Sequence, residues 1–93
     1  MRKSLFSRLA DAIERADEKG VKTLVDVPYR QYRALSVSRE GEQHVLRYSA
    51  SGWSCSCDGF YYTGMCHHIG ALARRAEQEQ WPGRFVIASE RRV

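Results

Sequence analysis

Along the first fifth of the chain, Leu5, Phe6, Leu9, Ile13 and Ala16 recur at three- and four-residue spacing among basic and acidic side chains. This pattern predicts an amphipathic helix with one apolar stripe, capped at Ser4 and ended by Gly20. Such a stripe needs a partner: the helix either packs inside the monomer or joins two copies as a homodimer. The period then changes. Val21 to Val27 reads as a short strand stopped by Pro28. Tyr32 to Ser38 and His44 to Ser49 flank the turn-forming stretch Arg39-Glu40-Gly41-Glu42 and read as a β-hairpin. Alternation there predicts that Leu35, Val37, Leu46 and Tyr48 face the core. Helical spacing returns with Ile69, Leu72, Ala73 and Ala76, and Trp81-Pro82-Gly83 breaks it. Phe85-Val86-Ile87 is expected to add a last strand before a basic tail.

Between the hairpin and the second helix lie all three cysteines of the chain, Cys55, Cys57 and Cys66, followed by His68. The arrangement is C-x-C, eight residues, then C-x-H. Zn²⁺ prefers four tetrahedral ligands drawn from thiolate and imidazole, and three Cys with one His fill its coordination sphere, which argues for structure rather than catalysis. Residues two apart share a face only on extended backbone, so Cys55 and Cys57 belong on an extended segment. The same spacing inside a helix sends side chains to nearly opposite sides, so Cys66 belongs at or just before a helix start, with His68 in the first turn. His68 then borders the apolar face through Leu72. His67 is the rival ligand, on a face shared with Ala71, Arg74 and Gln78 that reads as solvated. Asp58 is a more distant candidate, because thiolate-rich sites seldom recruit a carboxylate. Trp53 reads as a core aromatic, and Phe60-Tyr61-Tyr62 as an aromatic loop that roofs a small core.

The run from Tyr32 to Ala76 resembles the SWIM zinc-finger domain: a hairpin, the approach Ser54-Cys55-Ser56-Cys57-Asp58-Gly59-Phe60, a short loop with Gly64, then Cys66-His67-His68-Ile69 opening a helix. The resemblance implies a ββα fold with Cys55, Cys57, Cys66 and His68 as ligands of one structural Zn²⁺. Members of that family occur in transposases, remodelling ATPases and ubiquitin-ligase-like proteins, where DNA binding or protein contacts are attributed to it. The expected fold class is therefore α+β, a small zinc-stabilised ββα finger with an N-terminal amphipathic helix. Residues 1–20 form a helical extension packing on the same domain, and 21–93 form the SWIM-like module with a basic C-terminal tail.

Length and charge bound the remaining choices. Ninety-three residues suit one small domain whose apolar core is marginal by itself. Zinc binding by small finger peptides contributes on the order of 10–16 kcal/mol, so the segment from hairpin to second helix is expected to lose order without metal. No stretch reaches the roughly 20 apolar residues of a membrane span, and no signal-peptide core is visible. The reading is an intracellular protein with reduced thiols and no membrane partner. Catalytic motifs are absent: there is no phosphate-binding glycine loop, serine elbow or H-E-x-x-H. A Cys66 thiol activated by His67 would need to be free of metal. The chain is therefore expected not to be an enzyme.

Fifteen Lys and Arg against eleven Asp and Glu give a formal charge of +4. The excess lies at Arg30, Arg33, Arg39 and Arg47 around the hairpin and at Arg84, Arg91 and Arg92 near the end. Converging arginines would neutralise phosphates, and Tyr61 and Tyr62 would stack on unpaired bases. The expected function is thus a recognition module that binds nucleic acid, DNA in particular, through Arg30, Arg33, Arg39, Arg47, Tyr61 and Tyr62. The alternative is a zinc-stabilised adaptor in which the first helix or the hairpin edge docks on a larger protein partner.

Overall fold

The computed structural model describes residues 5–35 and 43–88. The Ser4 cap, Val37, the hairpin turn with Arg39, and Arg91 and Arg92 lie outside them. Helix α1 spans Leu5–Lys19 and gives way to a left-handed Gly20 (φ 65°). Strands β1 (Lys22–Val27), β2 (Gln31–Leu35), β3 (Gln43–Ser49) and β4 (Gly52–Cys55) form one antiparallel sheet in the order β1-β2-β3-β4. Two helices follow, α2 (Asp58–Thr63) and α3 (His67–Gln78). The result is a small α+β domain in which α1 and α3 pack together and α3 lies on the sheet. Its sheet is twice as wide as the two strands of a ββα finger. No helix among the described residues is long and apolar enough to cross a membrane.

Register decides which side chains meet α3. Tyr32 pairs with Leu46, Ala34 with His44, Leu46 with Cys55 and Tyr48 with Trp53, and directly opposed residues share a face. The covered face therefore carries Tyr32 and Ala34 from β2, not Leu35. Ala34 and Leu46 are wholly buried, whereas Leu35 is half-buried on the opposite face. The reason is steric and electrostatic. A small Ala34 lets α3 approach, and Tyr32 receives the Arg75 guanidinium 5.1 Å above its ring. Tyr48 shares that face but lies at its rim, 42 % exposed, against Trp53.

Helix α3 buries Ile69, Leu72, Ala73 and Ala76, the stripe its spacing predicts. It also buries Gly70 and Ala71, because α1 sits on that side with Ala12 and Ala16 against it. The interface is made of small residues: a Cβ on Gly70 would overlap the carbonyl of Ala12 and lie 2.6 Å from the amide N of Ile13. The Ala71–Arg74 face expected to be solvated is thus partly covered by α1, and Arg74 makes an ion pair with Asp17.

After α3, Trp81 packs against Tyr32 and Trp53, at ring-centroid distances of 5.2 and 5.8 Å. The expected last strand is only a single bridge, Trp53 to Ile87, with the Trp53 N–H donating to the Val86 carbonyl at 2.8 Å. Gly52 makes this approach feasible. Its φ is +119°, and a Cβ there would stand 2.7 Å from the Val86 oxygen.

Candidate metal centre

Three elements converge on one buried corner. Cys55 ends β4, Cys57 caps α2, Cys66 stands at the N-cap position of α3 without a side-chain capping bond, and His68 lies in the first turn of α3. Cys57 and Cys66 both have extended backbone, which lets each thiol turn inward while its own peptide starts a helix. Ser56, between the first two cysteines, holds the segment to β3: it accepts the Val45 N–H on Oγ at 2.9 Å and donates its own N–H to the Val45 carbonyl at 3.0 Å. That pin continues the β3–β4 pairing one residue past Cys55. It also keeps Cys55 and Cys57 on the same side.

Four donor atoms, the Sγ of Cys55, Cys57 and Cys66 and a ring nitrogen of His68, lie within 4.8 Å of one another. Tetrahedral zinc with bonds of about 2.3 Å to sulfur and 2.0–2.1 Å to nitrogen places its ligands about 3.6–3.8 Å apart. Cys55 Sγ and His68 Nδ1 stand 3.7 Å apart. The cluster could hold one metal ion and is consistent with a zinc site. All four residues are buried, with His68 at 4 % exposure. The cysteines form no disulfide.

The electrostatics suit thiolate. The Phe60 N–H donates to Cys57 Sγ at 3.4 Å, and Cys66 stands at the positive N-terminal end of a twelve-residue helix. In the metal-free cluster the sulfurs share their protons unequally. Hydrogen bonds from Cys55 and then Cys66 hold the Cys57 thiol well below its ordinary range. The bond to Cys57 in turn pushes Cys55 up to about 12. Cys66 is raised further by its bonds to Cys55 and Cys57 and by burial. A divalent cation reverses that balance by stabilising all three thiolates at once.

His67 is not part of the cluster. Its half-buried ring lies 4.2 Å from His68 and beside Arg8, Asp11 and Arg15 of α1. Burial, then the neighbouring His68, pushes its pKa down to about 4. Asp58 is exposed in the first turn of α2 and also stands outside the cluster. A residue that spacing did not single out is His44, half-buried on the covered face of β3, whose ring lies 4.4 Å from that of His68 at 40°. Its only sequence signal is position: two residues before Leu46, hence on the same face.

The expected aromatic loop is the helix α2. Asp58 in its first turn, the Cys57 cap and a left-handed Gly64 (φ 77°), whose N–H reaches the Phe60 carbonyl at 2.8 Å, make a one-and-a-half-turn helix stable here. Phe60 alone enters the core; Tyr61 and Tyr62 are 70 % and 77 % exposed and roof nothing.

Among the described residues, Arg30, Arg33 and Arg47 do not gather at one place. Arg33 and Arg47 share the sheet's outer face, since Arg47 opposes Gln31 and Arg33 lies two residues along. The Arg33 guanidinium is held by Asp26 at 2.8 Å and Gln43 at 3.3 Å. Arg30 points to the helix side and lines a groove there. Tyr61 and Tyr62 stand on α2, packed on each other. No family model, curated protein or solved structure matches this chain.

Proposed function

We propose that this chain is a zinc-stabilised recognition module whose metal is structural and whose ligand is nucleic acid. The observation that carries the metal reading is closure. Three thiols and one imidazole from β4, α2 and α3 fill a tetrahedral sphere in a buried corner, which leaves no position for a substrate or an activated water. The module is accordingly not an enzyme in this reading, and its similarity to the SWIM zinc finger rests on the C-x-C and C-x-H pairs. The nucleic-acid reading draws on the outer face of the sheet, where, among the described residues, Lys22, Arg33 and Arg47 stand with one acid, Asp26, on the side away from α3. A phosphate arriving there competes with Asp26 for Arg33.

The first test is native mass spectrometry with and without chelator. One zinc per chain, lost together with the folded charge states, supports the structural site; a folded metal-free chain with three reactive thiols refutes it. The second is DNA binding against salt. Each phosphate contact contributes about −0.9 to the slope of log K against log salt. Arg33→Ala with Arg47→Ala should therefore flatten it by about two; an unchanged slope rules out this face. On α1, Ala12 and Ala16 are buried against α3, while Leu9 and Ile13 of the apolar stripe line an open groove, so the adaptor alternative keeps that route.

A further inference from the structure

The two edges of the sheet are finished differently. Beside β4 runs the segment after α3, where the Trp53 N–H donates to the Val86 carbonyl and Ile87 bridges Trp53. Beside β1, among the described residues, the sheet order simply ends. Leu24, Val25 and Val27 of that strand are 49 %, 46 % and 49 % exposed. Leu24 opposes Arg33 and Val25 opposes Tyr32, so the exposure falls on both faces of one strand and follows the open edge rather than one uncovered face. An open edge presents backbone groups that accept another strand, and natural edges are blunted by charge, proline or a bulge. On β1 the charge is Lys22 and the bulge lies between Val25 and Val27, which leaves Thr23 and Leu24 between them unblunted.

The run Lys22-Thr23-Leu24-Val25-Asp26 carries opposite charges at equal distance from Leu24. Laid antiparallel on a second copy with a two-fold axis at Leu24, it sets Lys22 opposite Asp26 of the second copy, twice, and Thr23 opposite Val25. Paired residues then have like parity, so the outward backbone groups of one strand meet those of the other. Neighbouring registers lose the match: an axis at Val25 sets Leu24 against Asp26, and an axis at Thr23 sets Lys22 against Leu24. Both charges can serve. Lys22 makes no ion pair among the described residues. Asp26 receives Gln31 and Arg33 on Oδ2 alone, at 3.1 and 2.8 Å, and its Oδ1 can accept another donor. Arg75 reaches the Thr23 carbonyl from α3 at 2.9 Å, and a carbonyl oxygen has a second lone pair for a strand.

We propose that β1 pairs antiparallel with β1 of a second copy of this chain, joining two four-stranded sheets into one of eight strands. A two-fold contact of this kind is self-complementary, the usual form of a homodimer interface. The axis stands perpendicular to the sheet, so each face keeps its side and the Arg33 and Arg47 side chains of both copies share the outer face. Pairing is independent of what that face binds. One short strand makes a small interface, so the dimer forms reversibly with concentration.

Sedimentation velocity of the zinc-supplemented full chain, from low micromolar to millimolar concentration, should show a monomer–dimer equilibrium. Lys22→Glu and Asp26→Lys each turn two attractive pairs into repulsive ones and should each weaken the dimer at least about tenfold. Mixed in equal amounts, the two variants restore both pairs, so a heterodimer should form at close to the parent affinity. Leu24→Lys sets like charges on the axis and should give a monomer with unchanged far-UV circular dichroism. Ala10→Glu, exposed on α1, should leave the dimer intact. A monomer at every concentration would overturn the proposal, as would a dimer indifferent to Leu24→Lys. A dimer lost in Ala10→Glu would assign the contact to α1 instead. Failure of the mixed variants to associate would refute the register centred on Leu24.

Discussion

Gly70→Ala reads the docking of α1 with opposite signs for two explanations. In an exposed helix interior, replacing Gly by Ala stabilises by about 0.8–1 kcal/mol. Gly70 is instead pressed against α1: a new Cβ would overlap the Ala12 carbonyl and stand 2.6 Å from the Ile13 nitrogen. Ordinary contact begins near 3.4 Å, so α1 must retreat by about 0.8 Å or more along its contact with α3. Both obstructing groups are backbone and cannot rotate away. Overpacking of this kind costs about 1–3 kcal/mol, which outweighs the gain in propensity. The expected net effect is a loss of about 1–2 kcal/mol, seen as a lower urea midpoint for the zinc-loaded protein with little change in slope. Gly70→Leu should go further and release α1, with amide exchange accelerating at Ala12 and Ala16 while α3 stays protected. A Gly70→Ala protein as stable as the parent, or more stable, would mean that α1 does not lie on α3 as described.

Metal affinity should depend steeply on pH. An ordinary thiol already keeps its proton at neutrality, and Cys55 and Cys66, whose pKa values are raised, keep theirs in the metal-free cluster, whereas Cys57, whose pKa is lowered, does not. Zinc then competes with two protons, so affinity falls as pH falls, by about a hundredfold per unit around neutrality. Calorimetry in buffers of different ionisation enthalpy should count about two protons released, and a count near three, that of three ordinary thiols, would refute the lowered pKa of Cys57. His44→Ala should weaken zinc about tenfold in chelator competition, at the lower end of what outer partners of a metal ligand contribute. His44→Phe should retain most of that affinity, since the contact is ring on ring at 4.4 Å. Equal loss in both variants would assign His44 a different role.

The parts of this fold that were legible in sequence are those fixed by local periodicity or by ligand chemistry. Helices α1 and α3 announce themselves through apolar spacing, and the four donors singled out by spacing are the four that converge. The parts that were not legible depend on what lies above a surface. In β2, alternation offers two sets, Leu35 with Val37 or Tyr32 with Ala34, and hydrophobicity favours the first. Packing chose the second, because α3 needs a small residue beneath it and Arg75 needs the Tyr32 ring. A one-residue difference in parity turns every side chain of a strand over, so Leu35 was expected on the wrong face, while Leu46 and Tyr48 of β3 lie on the face expected of them. Helix α2 escaped for a different reason. Its six residues carry no period to detect, and its stability comes from the Cys57 and Gly64 caps, which become visible only with the fold.

A metal ion held by the cluster would help so small an interior hold a four-stranded sheet. Among the described residues the largest fully buried side chains are four, Leu46, Ile69, Leu72 and Ile87, with Tyr32, Trp53 and Phe60 buried around them. Cys55 lies directly across from Leu46, Cys66 precedes Ile69 by one helical turn, and His68 precedes Leu72 by another. The donors therefore continue the apolar core instead of interrupting it. They occupy the corner where β4 ends and two helices begin. An ion there would tie β4 to α3 directly, and through the Gly70 contact to α1. Removing it should loosen the sheet edge and both long helices together, whereas a loss confined to 55–68 would mean that the apolar core alone carries the rest of the fold.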